Sequence, residues 1–281
     1  MIIKIMETTK KYKLTNETIK IDGITLYRIR AIKSFSNVKA GDFGGWVEKE
    51  ENLSQMGDSW IYSNAKVYGN AKVFGNAKVR KNAKVFGYAQ VYGDAIVSDN
   101  AEVFGNAKVF GDAWVFGKSK VYGNAEVHGN AKVYGNAQVY DNARVFGNAR
   151  VFDFAKVYNN AKVYNYAEVY CNAHIYGNAM VGGNSRVFGK ARVYGYAHIY
   201  CNAEIYDDAK VYGNTEVFDF VKVYNNAKVY NDAEVYGNAE ICGNAVVRGN
   251  AVVCDTAKVY GDAIINNVVC DTADYVTFKK F

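Results

Sequence analysis

From Ile61 to Ile264 the chain repeats one six-residue unit without a slip. The unit reads Val, then Tyr or Phe, Gly, Asn, Ala and a polar residue that is often Lys. Its 204 residues make 34 hexads, with Val or Ile in the first slot of every one. The fifth slot is Ala except at Ser119, Ser185, Thr215 and Val221. A short fixed period decides the architecture before local propensity is consulted, because each unit can bury its apolar side only against neighbouring units. An unbroken period also leaves no insertion to carry a catalytic loop.

The hexad Val67-Tyr68-Gly69-Asn70-Ala71-Lys72, followed by Val73, sets the local structure. Ala71 and Val73 are two apart, so in an extended strand they point the same way, and Lys72 and Phe74 point the other way. Gly and Asn tolerate positive φ and turn the chain at low steric cost. Each hexad therefore predicts a short strand and a corner. Helical spacing of apolar residues is absent, and Val, Tyr and Phe favour strands.

This pattern, an aliphatic residue followed four positions on by a small one, resembles the hexapeptide-repeat left-handed β-helix. The resemblance implies three hexads per triangular coil of eighteen residues, and the left hand comes from it alone. The expected fold is all-β: a single-stranded triangular β-solenoid of roughly eleven coils, with a small β-rich N-terminal cap. The expected boundaries are a cap over residues 1–54, the repeat over 55–264 and a C-terminal cap or tail over 265–281.

In the cap, Ile19, Ile21, an Asp22-Gly23 turn, Ile24, Leu26 and Ile29 predict a hairpin. Caps block the unpaired strand edges of an open solenoid end. At the other end, Val253-Cys254-Asp255-Thr256-Ala257 recurs as Val269-Cys270-Asp271-Thr272-Ala273, an offset of 16 residues that breaks the phase.

Three stretches of the head carry a second resemblance: Tyr27 to Ile32, Val38-Lys39-Ala40-Gly41-Asp42-Phe43-Gly44-Gly45-Trp46-Val47, and Asn52 to Ile61. Together they resemble the start of the YdcK-type proteins. Those are bacterial hexapeptide-repeat proteins, with relatives in prophage regions, that are called acyltransferases although no reaction is established for them.

Composition narrows the classes. No stretch near Met1 to Glu7 reads as a secretory core, and no apolar run approaches the length of a membrane span. A cytoplasmic protein is expected. Of the five cysteines, Cys171, Cys201, Cys242 and Cys254 occupy repeat slots. With three hexads per coil no two of these four stack in adjacent coils, which predicts free thiols in a reducing compartment.

Catalytic chemistry has few candidates. Hexapeptide acyltransferases place a catalytic His near a protruding loop at a cleft between subunits. Here His128 replaces a Tyr in an aromatic row, and His174 and His198 stand in the outward polar slot. His128 is the weak candidate base. His174 and His198 are four hexads apart and fall on different faces, so no zinc site or other metal site is expected.

Every third hexad shares a face. One second-slot row then runs Tyr68, Phe86, Phe104, Tyr122, Tyr140, Tyr158, Tyr176, Tyr194, Tyr212 and Tyr230 without a gap. Beside it run Lys66, Lys84, Glu102, Lys120, Gln138, Lys156, His174, Arg192, Lys210 and Lys228. Of those ten, seven are Lys or Arg and one is acidic. The structural reading is cross-strand ring pairing covered by lysine stems. The functional reading is a binding face for a glycan or an acidic polymer.

The expected function is a non-catalytic scaffold or binding rod with no cofactor. The alternative, implied by the wider hexapeptide family, is an acyltransferase with acyl-CoA at the cleft of a trimer, the most expected homo-oligomer. Two apolar patches, Val246, Val252 and Ile264 near the C-terminus and Ile96 with Trp114, are expected to be covered, the first by the C-terminal tail and the second by another chain.

Overall fold

A computed structural model describes residues 10–270 of the chain. The expected reading of the first seven residues lies outside them, as does the last part of the tail. The chain divides into two compact units between Gly135 and Asn136. Each unit is a parallel β-solenoid with three sheets, and each hexad supplies one short strand, in most cases of two residues, to the next sheet in turn.

The register follows the hexads. Partners lie 18 residues apart, as in Lys66 with Lys84 and Val67 with Val85 in the first unit, or Lys156 with His174 and Val157 with Ile175 in the second. First-slot aliphatics and fifth-slot alanines are fully buried, and the residues between them face outward. The corner after each strand bonds to the next coil, as when Asn70 N donates to Gly87 O. Its third-slot residue is left-handed whatever its identity: Gly93 has φ 70° and Cys201 has φ 58°. The polar residues in alanine slots are satisfied locally. Ser119 Oγ donates to Phe116 O at 2.8 Å, Ser185 Oγ to Gly182 O at 2.6 Å and Thr215 Oγ1 to Tyr212 O at 2.7 Å.

The head is the expected hairpin, extended by a third strand. Strand β1 (Tyr12–Ile21) pairs antiparallel with β2 (Ile24–Ala31) around Asp22-Gly23, where both φ angles are positive. Strand β2 pairs antiparallel with β3 (Phe43–Val47), and β3 then pairs in parallel with Lys66–Val67. Solenoid stacking thus begins before residue 55. Val47, Leu53 and Ile61 form the core of a first coil spaced by six and eight residues, outside the strict period.

The sheet that begins at Trp60–Ile61 has five strands in the first unit and seven in the second, all supplied by hexads, because 34 hexads make eleven full turns and one strand more. The Val47 and Leu53 rungs of the first coil are added on the other two sheets, where they pair with Val67 and Val73. Gly44 and Gly45 allow β3 to dock. A Cβ on Gly44 would meet Ile29 at 2.5 Å, and one on Gly45 would meet Ala65 O at 2.5 Å.

Buried polar ties lock the head onto this first coil. Tyr12 Oη donates to Glu50 O and Leu53 O, both at 2.8 Å. Asn52 Nδ2 donates to Gly69 O and Ala71 O. Lys11 is 1% exposed, and its ammonium donates to Gly57 O at 3.0 Å and Ser59 O at 2.8 Å.

At the far end, Val268–Cys270 pairs in parallel with Val252–Cys254. The 16-residue offset is therefore one coil shortened by two residues. It brings Cys254 and Cys270 together as a disulfide with Cα atoms 4.7 Å apart. The expectation that all the cysteines are free thiols is corrected here. It assumed an 18-residue step, and the shortened coil lies outside that step. Cys171, Cys201 and Cys242 are free. The described tail extends a sheet beside Val252 and leaves Ile264 49% exposed.

Candidate functional site: a cationic groove

The outward columns differ in how charge is arranged, and that difference locates the candidate site. In the second unit one sheet carries Arg150, Glu168, Arg186, Glu204, Lys222, Glu240 and Lys258 in strict alternation. Ion pairs join Arg150 to Glu168 at 3.1 Å, Arg186 to Glu204 at 2.7 Å and Lys258 to Glu240 at 3.9 Å. On the sheet beside it, Lys156, His174, Arg192, Lys210 and Lys228 occupy successive strands with no acid among them.

The corner before these strands supplies a second column: Asn172, Lys190, Asp208 and Asn226. Between that column and His174, Arg192, Lys210 and Lys228 runs a groove of about 680 Å³. Slots four and six both point outward while the alanine between them points in, so the repeat itself makes the groove floor. Lys190, Arg192, Lys210 and Lys228 place four cations on it against the single carboxylate of Asp208. Burial, followed by the charges of Lys156 and Arg192, holds the His174 imidazole below its ordinary pKa.

The first unit is different. Its corresponding column, Lys66, Lys84, Glu102 and Lys120, is interrupted by an acid. Glu102 accepts from Lys84 at 3.2 Å and from Lys120 at 3.0 Å. Burial pushes the Glu102 pKa up, and the two lysines outweigh that push and hold it below the ordinary value. The basic bias read along the whole face is thus partly cancelled in the first unit and left uncancelled in the second.

The aromatic row stands beside the cations, on the other side of the buried valines. Its rings stack on one another: Tyr68, Phe86, Phe104 and Tyr122 at centroid distances of 4.9–5.1 Å in the first unit. In the second unit Tyr140, Tyr158, Tyr176, Tyr194, Tyr212 and Tyr230 stack at 4.7–5.0 Å. Interplanar angles are 6° or less. A ring between two stacked neighbours has both faces covered, so this row presents edges outward. Burial raises the phenol pKa at Tyr158, Tyr176, Tyr194 and Tyr212.

The histidines are not brought together. His128 lies in a ring stack, 4.7 Å from Phe110 at 8°. His174 and His198 occupy different sheets. Cys254, Asp255 and Cys270 bring three potential ligand atoms within 4.8 Å of one another, but with the two sulfurs joined as a disulfide there is no thiolate to hold an ion. Among the described residues no helix is long and apolar enough to cross a membrane.

The class is therefore a hexapeptide β-solenoid repeat protein. The YdcK β-solenoid repeat family matches residues 89–103 and 137–153, so the chain carries repeats of that type in its coils as well as the resemblance in its head. Over 61 residues it is 39% identical to "Uncharacterized acetyltransferase YdcK" of Escherichia coli (strain K12), a match covering 19% of this chain and 19% of that protein. The groove from Asn172 to Lys228 lies outside both family-matched segments.

Proposed function

We propose that this protein is a non-catalytic binding solenoid that takes an acidic polymer along the groove of its second unit. The observation that carries the reading is the uncompensated column from Lys156 to Lys228, one sheet away from a column that alternates in sign. Like charges directly opposite on neighbouring strands are destabilising. A repeat that pairs its charges on one sheet and repeats cations on the next leaves a surface whose repulsion a bound polyanion relieves. The strand spacing of about 4.8 Å sets the pitch of the cations. The stacked ring faces are covered, which favours recognition of charge over stacking against sugars or bases. The reading needs one chain only.

The test is binding of long-chain polyphosphate and of heparin to the wild type and to two quadruple variants. K156Q/R192Q/K210Q/K228Q removes the column and is expected to weaken binding at least about tenfold, with a shallower salt dependence. R150Q/R186Q/K222Q/K258Q removes as many cations from the alternating sheet and is expected to bind nearly as the wild type does. Equal losses in the two variants would reduce the interaction to net charge.

A second reading, acyl transfer with acyl-CoA at a trimer cleft, has the printed name of the Escherichia coli relative in its favour. Saturable acetyl-CoA binding in a calorimeter, together with a trimeric mass in solution, would support it.

A further inference from the structure

One outward aromatic column of the first unit has two successive rungs without a ring, one filled by an arginine and one left open. On the sheet that begins at Trp60–Ile61 the second-slot residues are Tyr62, Arg80, Ser98, Phe116 and Tyr134. Phe116 stacks on Tyr134 at 4.9 Å and 4°. The Arg80 guanidinium lies over Tyr62, 5.6 Å from its centroid. Between them Ser98 offers only a hydroxymethyl group. Arg80 and Phe116 are two strands apart, so about 10 Å separates the guanidinium rung from the Phe116 ring, with only Ser98 between them. The result is a cavity of about 230 Å³, with Ile96 and Trp114 on its apolar side.

Another missing ring, in the second unit, is closed. At Gly182 the neighbouring Tyr164 leans into the space, and a Cβ on Gly182 would run into its ring. The lean shows in the Phe146–Tyr164 pair, which opens to 5.5 Å and 13°. Phe116 makes no such move. Trp114 packs edge-on against it at 6.5 Å and 80°, and Arg80 covers Tyr62 with its guanidinium while still lining the cavity. The floor is held as well. Ser98 Oγ donates to Asp99 at 3.3 Å, and Asp99 also accepts from Gly117 N at 3.3 Å and pairs with Lys81. Among the described residues Arg80 has no carboxylate partner.

We propose that this slot binds a planar aromatic ring bearing an acidic group, seated between Phe116 and Arg80 in place of the missing rung. The ring face of Phe116 supplies one wall at the stacking distance used throughout the ladders. The Arg80 guanidinium supplies a planar, cationic second wall that can stack on the ring or take the acid in a forked pair. Trp114, 44% exposed, closes the apolar side.

The experiment uses the full chain with its three tryptophans replaced by 5-fluorotryptophan and follows the fluorine resonances. The probe is 2-naphthoate, and the control is its saturated decahydro counterpart, which carries the same charge but no flat ring. The expected result is a saturable shift confined to the Trp114 resonance, with the control at least roughly tenfold weaker, about 1.4 kcal/mol. Ser98→Tyr supplies the missing rung and is expected to abolish the shift. Ser98→Phe does the same if the tyrosine variant folds poorly. Arg80→Met keeps an aliphatic wall and should remove the preference for naphthoate over 2-naphthalenemethanol. Equal binding of the saturated acid, a shift that survives Ser98→Tyr or Ser98→Phe, or no movement of the Trp114 resonance would each overturn the proposal.

Discussion

Arg192 and Lys210 are direct partners on adjacent parallel strands, and no acidic side chain of their column lies between them. Lys228 follows Lys210 in the same register. One sheet away, Arg186 meets Glu204 at 2.7 Å. A single solenoid thus holds a column that satisfies its own charges beside one that does not, and the difference separates stability from binding.

That separation gives the first prediction. Lys210→Glu places a carboxylate between Arg192 and Lys228 and creates two cross-strand ion pairs worth about 0.5 kcal/mol each. The unfolding midpoint is expected to rise by about 2–4 °C while polyphosphate affinity falls. A variant that loses stability would contradict the view that the column is strained by its own charge.

Removing a ring from the stack separates support from recognition. Tyr176 lies 5.0 Å from Tyr158 and 4.7 Å from Tyr194, so Tyr176→Ala removes two stacking contacts at a cost of about 1–3 kcal/mol. Polyanion binding per folded molecule is expected to be unchanged, because the ring faces are covered. Denaturant unfolding alongside a binding titration checks both statements.

The disulfide is open to thiol counting. Unfolded without reductant, the chain is expected to react with Ellman's reagent at Cys171, Cys201 and Cys242 only, and at all five cysteines after reduction. Cys270→Ser opens a loop of sequence separation 16 and is expected to cost about 3 kcal/mol in the last coils.

Lys11 makes the head sensitive to alkaline pH. Burial lowers its pKa from 10.5 to about 8, with Asp58 opposing and Lys33 assisting. Below pH 8 the ammonium is charged in both states and its burial cost is fully present. Between pH 8 and 10.5 the unfolded chain keeps a proton that the folded chain has released, so stability rises with pH. The expected gain from pH 7.5 to 9.5 is about 1–2 kcal/mol, absent in Lys11→Met and measured by denaturant midpoints.

Much of the fold was legible in the hexads. The alternation around Val67 and Ala71 settles strand, corner and inward face. The Asp22-Gly23 hairpin was legible for the same reason, since turn chemistry is local. The first coil was less so, because Val47, Leu53 and Ile61 are unevenly spaced and declare themselves only when stacked on the next turn. The Cys254–Cys270 pair was written in the repeated Val-Cys-Asp-Thr-Ala segment, but a fixed 18-residue step hides a coil of 16.

For the site, the basic strip was legible as composition. Its confinement was not, because Glu102 cancels two lysines only through cross-strand pairing. The role of Asn was also understated. In the corners Asn142 Nδ2 donates to Asn160 Oδ1 at 3.2 Å, and Asn160 Nδ2 to Asn178 Oδ1 at 3.1 Å, a side-chain ladder where turn propensity alone suggests isolated residues.

The most direct measurement is an NMR titration of the His174 imidazole with and without polyphosphate, assigned through His174→Gln. His174 lies in the groove between Lys156 and Arg192, which help hold its pKa below the ordinary 6.5. A polyanion seated there offsets those two charges, so the pKa is predicted to rise on binding. Polyphosphate that binds while the His174 titration stays unmoved would place the polymer elsewhere and contradict the account.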